Sequence, residues 1–124
     1  MFYITTAIDY TNGSPHIGHA YEKVLADVLA RWHRMCGEDT FLLTGVDQHG
    51  QKVQQKAEEA GISPQEYADT VTKRFIALWE RLGISYDGWA ATTDARHKAC
   101  VQKILTNLKE KGCLYKKAYK GFYS

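Results

Sequence analysis

Phe2-Tyr3-Ile4-Thr5-Thr6-Ala7-Ile8 leads into Asp9-Tyr10-Thr11-Asn12-Gly13-Ser14 and then into Pro15-His16-Ile17-Gly18-His19. The first seven residues are mostly β-branched or aromatic and predict a short strand. Thr11-Asn12-Gly13-Ser14 is a cluster of turn formers, so Asp9 to Ser14 reads as a loop. Ser14 is a good N-cap and proline is favoured at the first helical position, which predicts a helix from Pro15. Ile17, Ala20, Tyr21, Val24, Leu25, Val28, Trp32 and Met35 then recur every three or four residues. They predict the inward face of a long amphipathic helix that stops at Gly37.

Outward from this junction the segments keep alternating. Thr40 to Thr44 is a second strand, whose Phe-Leu-Leu run suits a sheet buried on both faces. A helix is predicted over Gln51 to Ala60, ending at Gly61. Ser63-Pro64-Gln65-Glu66 has the capping-box pattern and opens the next helix. Its apolar face is Ala68, Val71, Phe75, Leu78 and Leu82, and Gly83 ends it. Ile84 to Thr92 reads as extended. Thr93-Asp94 can cap a last helix, with Val101, Ile104, Leu105 and Leu108 inward and a stop at Gly112. Residues 113–124 have strand character at best. Strands alternating with helices predict an α/β fold with a parallel sheet and right-handed crossovers. The chain halts as a new element starts, so it reads as the N-terminal piece of a longer protein.

Composition narrows the class. The 124 residues suit about one domain, and 44% apolar with 24% charged residues is ordinary for a globular chain. No apolar run approaches the length of a membrane helix, and the N-terminus lacks a charged region followed by an apolar stretch, so the expected compartment is the cytosol. Sixteen basic and 14 acidic residues leave a net charge of +2, too balanced to announce a nucleic-acid binder. Cys36, Cys100 and Cys113 are too few and too widely spaced for a disulfide framework or a zinc site, so reduced and mostly buried thiols are expected.

Two places carry chemistry. In His16-Ile17-Gly18-His19 the histidines are three apart in the first helical turn, so both reach one volume. Beside the unpaired N–H groups of a helix N-terminus they suit phosphate oxygens. Gly18, without a side chain, leaves room for a flat group against the backbone. The same spacing occurs on ordinary surface helices, and a zinc pair lacks a third ligand nearby. The second place is Gly45-Val46-Asp47-Gln48-His49-Gly50, predicted just after the second strand and beside the first loop. Asp47 there suits an ammonium or a ribose hydroxyl. By default an Asp at such a junction merely caps the next helix. Neither a G-x-G-x-x-G nor a Walker A sequence is present.

Together these places resemble the class I aminoacyl-tRNA synthetases, whose signature is His-Ile-Gly-His at the start of the first Rossmann helix. Thr6 to Tyr21, Ala26-Asp27 with Ala30-Arg31-Trp32, and Leu43 to Lys52 resemble the methionine-type members in particular. So do Thr92-Thr93, Arg96-His97-Lys98 and Tyr119 to Ser124. The resemblance implies the first half of a doubly wound, Rossmann-like catalytic domain over residues 1–112, with the start of a connective insert at 113–124. It implies ATP-dependent activation of methionine, usually with Mg²⁺, and transfer to tRNA. It assigns His16 and His19 to ATP phosphates and transition-state stabilisation, and Gly18 to the adenine. Asp47 would hold the methionine ammonium, and Ala7, Ile8 and Tyr10 would wall the methionine pocket. No metal-ligating residue is implied.

Asp9 departs from the pattern, since such enzymes often carry proline or another uncharged residue there. The Lys-Met-Ser-Lys-Ser loop of the class is missing, so this segment alone is expected to be inactive. Ser124 stands where some members place a zinc-binding cysteine, which points to a zinc-free insert. Two alternatives remain: a leucine-, valine- or isoleucine-type synthetase sharing the tetrapeptide, and a non-catalytic synthetase-like nucleotide-binding module.

Overall fold

A computed structural model describes residues 1–118, 120 and 121. The elements in order are β1 (Phe2–Thr5), β2 (Asp9–Tyr10), α1 (Ile17–Met35), β3 (Thr40–Asp47), α2 (Gln51–Ala60), α3 (Pro64–Leu82), β4 (Gly88–Ala91) and α4 (Ala95–Glu110). They fall into two compact units, Met1–Asp94 and Ala95–Ser124. The resemblance quoted for Tyr119 to Ser124 and the zinc-position reading of Ser124 lie largely outside the described residues.

The first unit is an α/β structure whose four strands are all parallel, as expected. β3 is its axis. β1 pairs with its first half, β2 with its last two residues, and β4 with Leu43 to Val46. Leu43 pairs with both Thr5 and Gly88, and Val46 with both Asp9 and Ala91, so β1 and β2 share one edge and β4 holds the other. At Gly45, opposite Ala90, a Cβ would stand 1.9 Å from the Ala90 carbonyl oxygen, so β3 and β4 approach this closely only with glycine there.

The predicted first strand is therefore real but broken. Thr5 pairs with Leu43 and Asp9 with Val46, so three residues, 6–8, stand against two, 44 and 45. This is a bulge with one extra residue, and side chains beyond it swap faces. Asp9-Tyr10 is thus strand and not loop. Asp9 is turned in toward α1 and Tyr10 out to solvent.

α1 starts at Ile17, with His16 as its N-cap, rather than at Pro15 behind Ser14. Its inward face also differs from the predicted one. Lys23, Ala26, Asp27 and Ala30 are buried, with Ala20 packed against the core. Ile17, Tyr21, Val24, Leu25, Val28, Trp32 and Met35 are exposed, Ile17 by 88% and Met35 by 82%. At 3.6 residues per turn these two stripes lie on roughly opposite sides of the helix. The small side chains let α1 settle close on Leu42 and Ile4. The bulkier stripe has no partner within this unit.

α3 begins and ends as predicted, but its inward face differs near the C-terminus. Ser63 Oγ accepts from Glu66 N at 3.2 Å, Pro64 opens the helix, and Ala68, Val71 and Phe75 are buried. Trp79 is buried too, whereas Leu78 is half-buried and Leu82 exposed. Val46, Val71, Phe75, Trp79 and Ala91 make the main core cluster. α1 and α3 thus cover the same face of the sheet, the one presenting Leu42 and Val46. On the other face Phe41 and Leu43 are only half-buried, not enclosed as the apolar run predicts. Replacing the α3 cap, Ser63→Ala, is expected to lower unfolding stability by about 1 kcal/mol, read as a lower urea midpoint with an unchanged slope.

In the second unit, α4 buries none of its residues. Val101, Ile104 and Leu105 are exposed and Leu108 half-buried, because α4 is the sole regular element among the described residues there. The Asp94 carboxylate accepts from Ala91 N at 3.3 Å. The three cysteines are free, as expected, but exposed rather than buried. Among the described residues no helix is long and apolar enough to cross a membrane.

Candidate functional site

The ends of β2, β3 and β4 and the start of α1 supply the candidate residues. At the N-terminus of α1 the two histidines cap the helix themselves. His16 Nδ1 accepts from Gly18 N at 3.1 Å, and His19 Nδ1 accepts from His16 N at 3.1 Å. The two rings lie 3.7 Å apart. A Cβ on Gly18 would come within 3.0 Å of His16 Cε1, so the glycine gives the His16 ring its place as well as clearing the backbone. Because both Nδ1 atoms accept from backbone N–H groups, each neutral ring carries its proton on Nε2. Two Nε2–H donors are therefore presented at a helix N-terminus. Burial holds the His19 imidazole below its ordinary range, with Asp9 pulling the other way.

The carboxyl edge of the sheet holds the second group. Asp47 ends β3 and is the register partner of Tyr10, so it belongs to the strand and not to the loop after it. It does not cap α2, whose N-cap Gly50 has no side-chain hydrogen bond. Asp47 Oδ1 accepts from His49 N at 3.1 Å and from Thr92 Oγ1 at 3.2 Å. Its Oδ2 accepts nothing among the described residues. Thr11, fully buried, closes the other side, its N and Oγ1 donating to the Asp47 carbonyl at 3.0 and 3.1 Å. Gln48 N donates to Thr92 Oγ1 at 2.9 Å, and the Gln48 side chain bonds Thr93 Oγ1, Asp69 and Thr72. One carboxylate oxygen is thus fixed by two bonds, from the His49 amide and the Thr92 hydroxyl, while the other stays open.

A cavity of about 410 Å³ lies alongside, lined by Tyr10, Asn12, His49, Gly50, Gln51, Lys52 and Val53. Of the sequence-predicted residues only Tyr10 lines it. Ala7 and Ile8 sit in the bulge and are exposed, and His16 and His19 lie at the start of α1. Sequence reading missed Thr92 as a partner of Asp47. Its one signal was a polar pair, Thr92-Thr93, directly after an extended segment.

A family model described as tRNA synthetases class I (M) matches residues 2–124. The chain belongs to this family. Among class I (M) synthetases, it is 51% identical over 123 residues to the methionine–tRNA ligase of Listeria monocytogenes serovar 1/2a, covering 99% of this chain and 18% of that protein. It is 48% identical over 124 residues to the enzyme of the same name from Deinococcus radiodurans, with 99% and 18% covered. In structure it is similar to the Mycobacterium tuberculosis methionyl-tRNA synthetase bound by methionyl-adenylate, with a TM-score of 0.86 and 40% identity over 90% of this chain and 22% of that one. This synthetase segment thus spans about a fifth of the length of its relatives.

Proposed function

We propose that this chain is the segment of a methionine–tRNA ligase that binds methionine and the phosphates of ATP for formation of methionyl-adenylate. The reading is carried by the pairing of Tyr10 with Asp47 at the carboxyl edge of the sheet, in a chain about half identical to proteins named methionine–tRNA ligase. The open Oδ2 of Asp47 suits the α-ammonium of methionine. Tyr10, Ala7 and Ile8 supply an apolar and aromatic wall for its thioether. His16 and His19 offer Nε2–H donors to phosphate oxygens, and Gly18 lets adenine approach the backbone. Such chemistry rests on positioning and on donors aimed at developing charge, and no covalent nucleophile is needed.

Residues 1–112 then form the N-terminal half of the catalytic domain, and 113–124 begin the connective insert. The whole enzyme is proposed to be cytoplasmic and to pass the methionyl group to tRNA through parts outside these residues. Mg²⁺ would arrive with the ATP phosphates, as is usual for this ion. Among the described residues no three His, Cys, Asp or Glu side chains gather as a metal-binding group. The Lys-Met-Ser-Lys-Ser loop is absent from this sequence, so the 124 residues alone are proposed to be inactive.

The test is ATP–pyrophosphate exchange by the intact enzyme. Exchange is expected with methionine and not with leucine, valine or isoleucine. Exchange driven by leucine would favour the aliphatic-type synthetases, and none with any amino acid would favour a non-catalytic module.

A further inference from the structure

The bulge at residues 6–8 determines where Asp9 points. In an unbroken strand, alternation continued from Ile4 would put Tyr10 against α1 and Asp9 outside. With the bulge, Asp9 is buried and meets Lys23, whose side chain is fully buried. The ammonium of Lys23 has three N–H donors. They go to Asp9 Oδ1 at 2.9 Å, to Glu22 Oε2 at 2.9 Å and to the Ala7 carbonyl at 3.0 Å. Glu22 Oε1 accepts in turn from Ala7 N at 2.9 Å. Both backbone groups of Ala7, which the bulge removes from the sheet ladder, are thus satisfied by side chains of α1. The indole of Trp79 lies 5.6 Å from the Lys23 ammonium. Among the described residues Asp9 Oδ2 has no hydrogen-bond partner.

The same carboxylate stands behind the phosphate end of the site. Asp9 Oδ1 is 4.0 Å from His19 Nε2, beyond hydrogen-bond reach but close enough for a strong field at a buried position. The groups facing His19 are Asp9 from β2 and His16, Glu22 and Lys23 around α1. From α3 the neighbour is the Phe75 ring, edge-on at 5.1 Å. Arg74 of that helix is engaged with Ser14 Oγ at 3.2 Å.

We propose that the buried Asp9–Lys23 pair, with Glu22 beside it, is a positioning device that locks the methionine-wall bulge and His19 to one another through α1. It rests on the assignment of His19 to phosphate and of the bulge to methionine. Asp9 and Lys23 touch neither substrate. Lys23 fixes Ala7 and Asp9 together, and Asp9 presents its negative charge to the imidazole. Burial disfavours a charged His19, and Asp9 partly restores that charge while Lys23 opposes it. Removing the carboxylate therefore makes His19 harder to protonate. Protonation of His19 at Nδ1 also breaks its bond from His16 N, so the exchange rate should fall at acidic pH as His19 gains its proton.

The test uses the intact enzyme with ¹³C-labelled histidine, its His19 signal assigned by loss in His19→Ala. In Asp9→Asn the His19 titration midpoint is expected to move to lower pH, and the acid limb of pyrophosphate exchange with it. The exchange rate constant at neutral pH is expected to fall by about tenfold, a displacement effect of well under 1 Å, and KM for methionine to rise. Should Asp9→Asn fail to fold with Lys23 unpaired, the double variant Asp9→Asn/Lys23→Met removes both charges. Asp9 outweighs Lys23 at His19, so the midpoint should still move down. An unmoved midpoint with unaltered exchange in either folded variant overturns the proposal. If His19→Ala itself leaves exchange untouched, the phosphate assignment fails instead, and the NMR midpoint still decides whether Asp9 governs His19.

Discussion

In the intact enzyme His19→Ala is expected to slow methionine-dependent pyrophosphate exchange by on the order of 10²–10³-fold, the loss seen when one donor to developing charge is removed. Methionine affinity should hardly change. The expectation rests on geometry at the start of α1. His16 N pins His19 Nδ1, so the proton of the neutral ring sits on Nε2, at the start of α1 and 4.0 Å from Asp9 Oδ1. Phosphate oxygens are the natural acceptors there. The substitution also removes half of the capping box formed with His16, which is expected to lower stability by about 1 kcal/mol. Thermal unfolding separates the two effects, since a cap lost from a still-folded enzyme does not reduce the rate a hundredfold. An exchange rate equal to that of the parent enzyme would show that the histidines only cap the helix.

Asp47→Asn is expected to weaken methionine binding by roughly 1.5–3 kcal/mol, the range for a hydrogen bond to a charged group. Oδ1 is held by Thr92 and the His49 amide, so the open oxygen cannot turn away from a ligand without breaking both bonds. Asparagine retains the shape but brings an amide donor and no charge to the ammonium. Methioninol carries the same amine and should lose as much affinity as methionine, measured by calorimetry or equilibrium dialysis. A variant that binds methioninol normally while losing methionine would move the Asp47 contact from the amine to the carboxylate end.

The element boundaries of α2 and α3 were legible because their signals are local. Ser63-Pro64 and the glycines at 61 and 83 stand where the helices begin and end, and a cap needs only its own neighbours. The His16–His19 turn and Asp47 were legible as candidates for the same reason. Their roles in the turn were less so. The histidines accept from the backbone, which spacing alone does not reveal, and Asp47 belongs to a strand whose last residues, Gly45 to Asp47, look like a loop by composition.

By itself the sequence determined the α/β order, the parallel sheet around Thr40 to Asp47 and the segments that carry the candidate site. Hydrophobic period and turn chemistry act over a few residues, and these features need no more. Only the tertiary structure decided which side of α1 faces inward. Periodicity counts apolar area but does not say what covers it, and the sheet took the small stripe that allows close approach, with Lys23 buried among its partners. Only pairing with β3 revealed the bulge at 6–8. A single extra residue leaves no mark on composition, yet it exchanges the faces of Asp9 and Tyr10, sending the carboxylate to Lys23 and the phenol to the cavity.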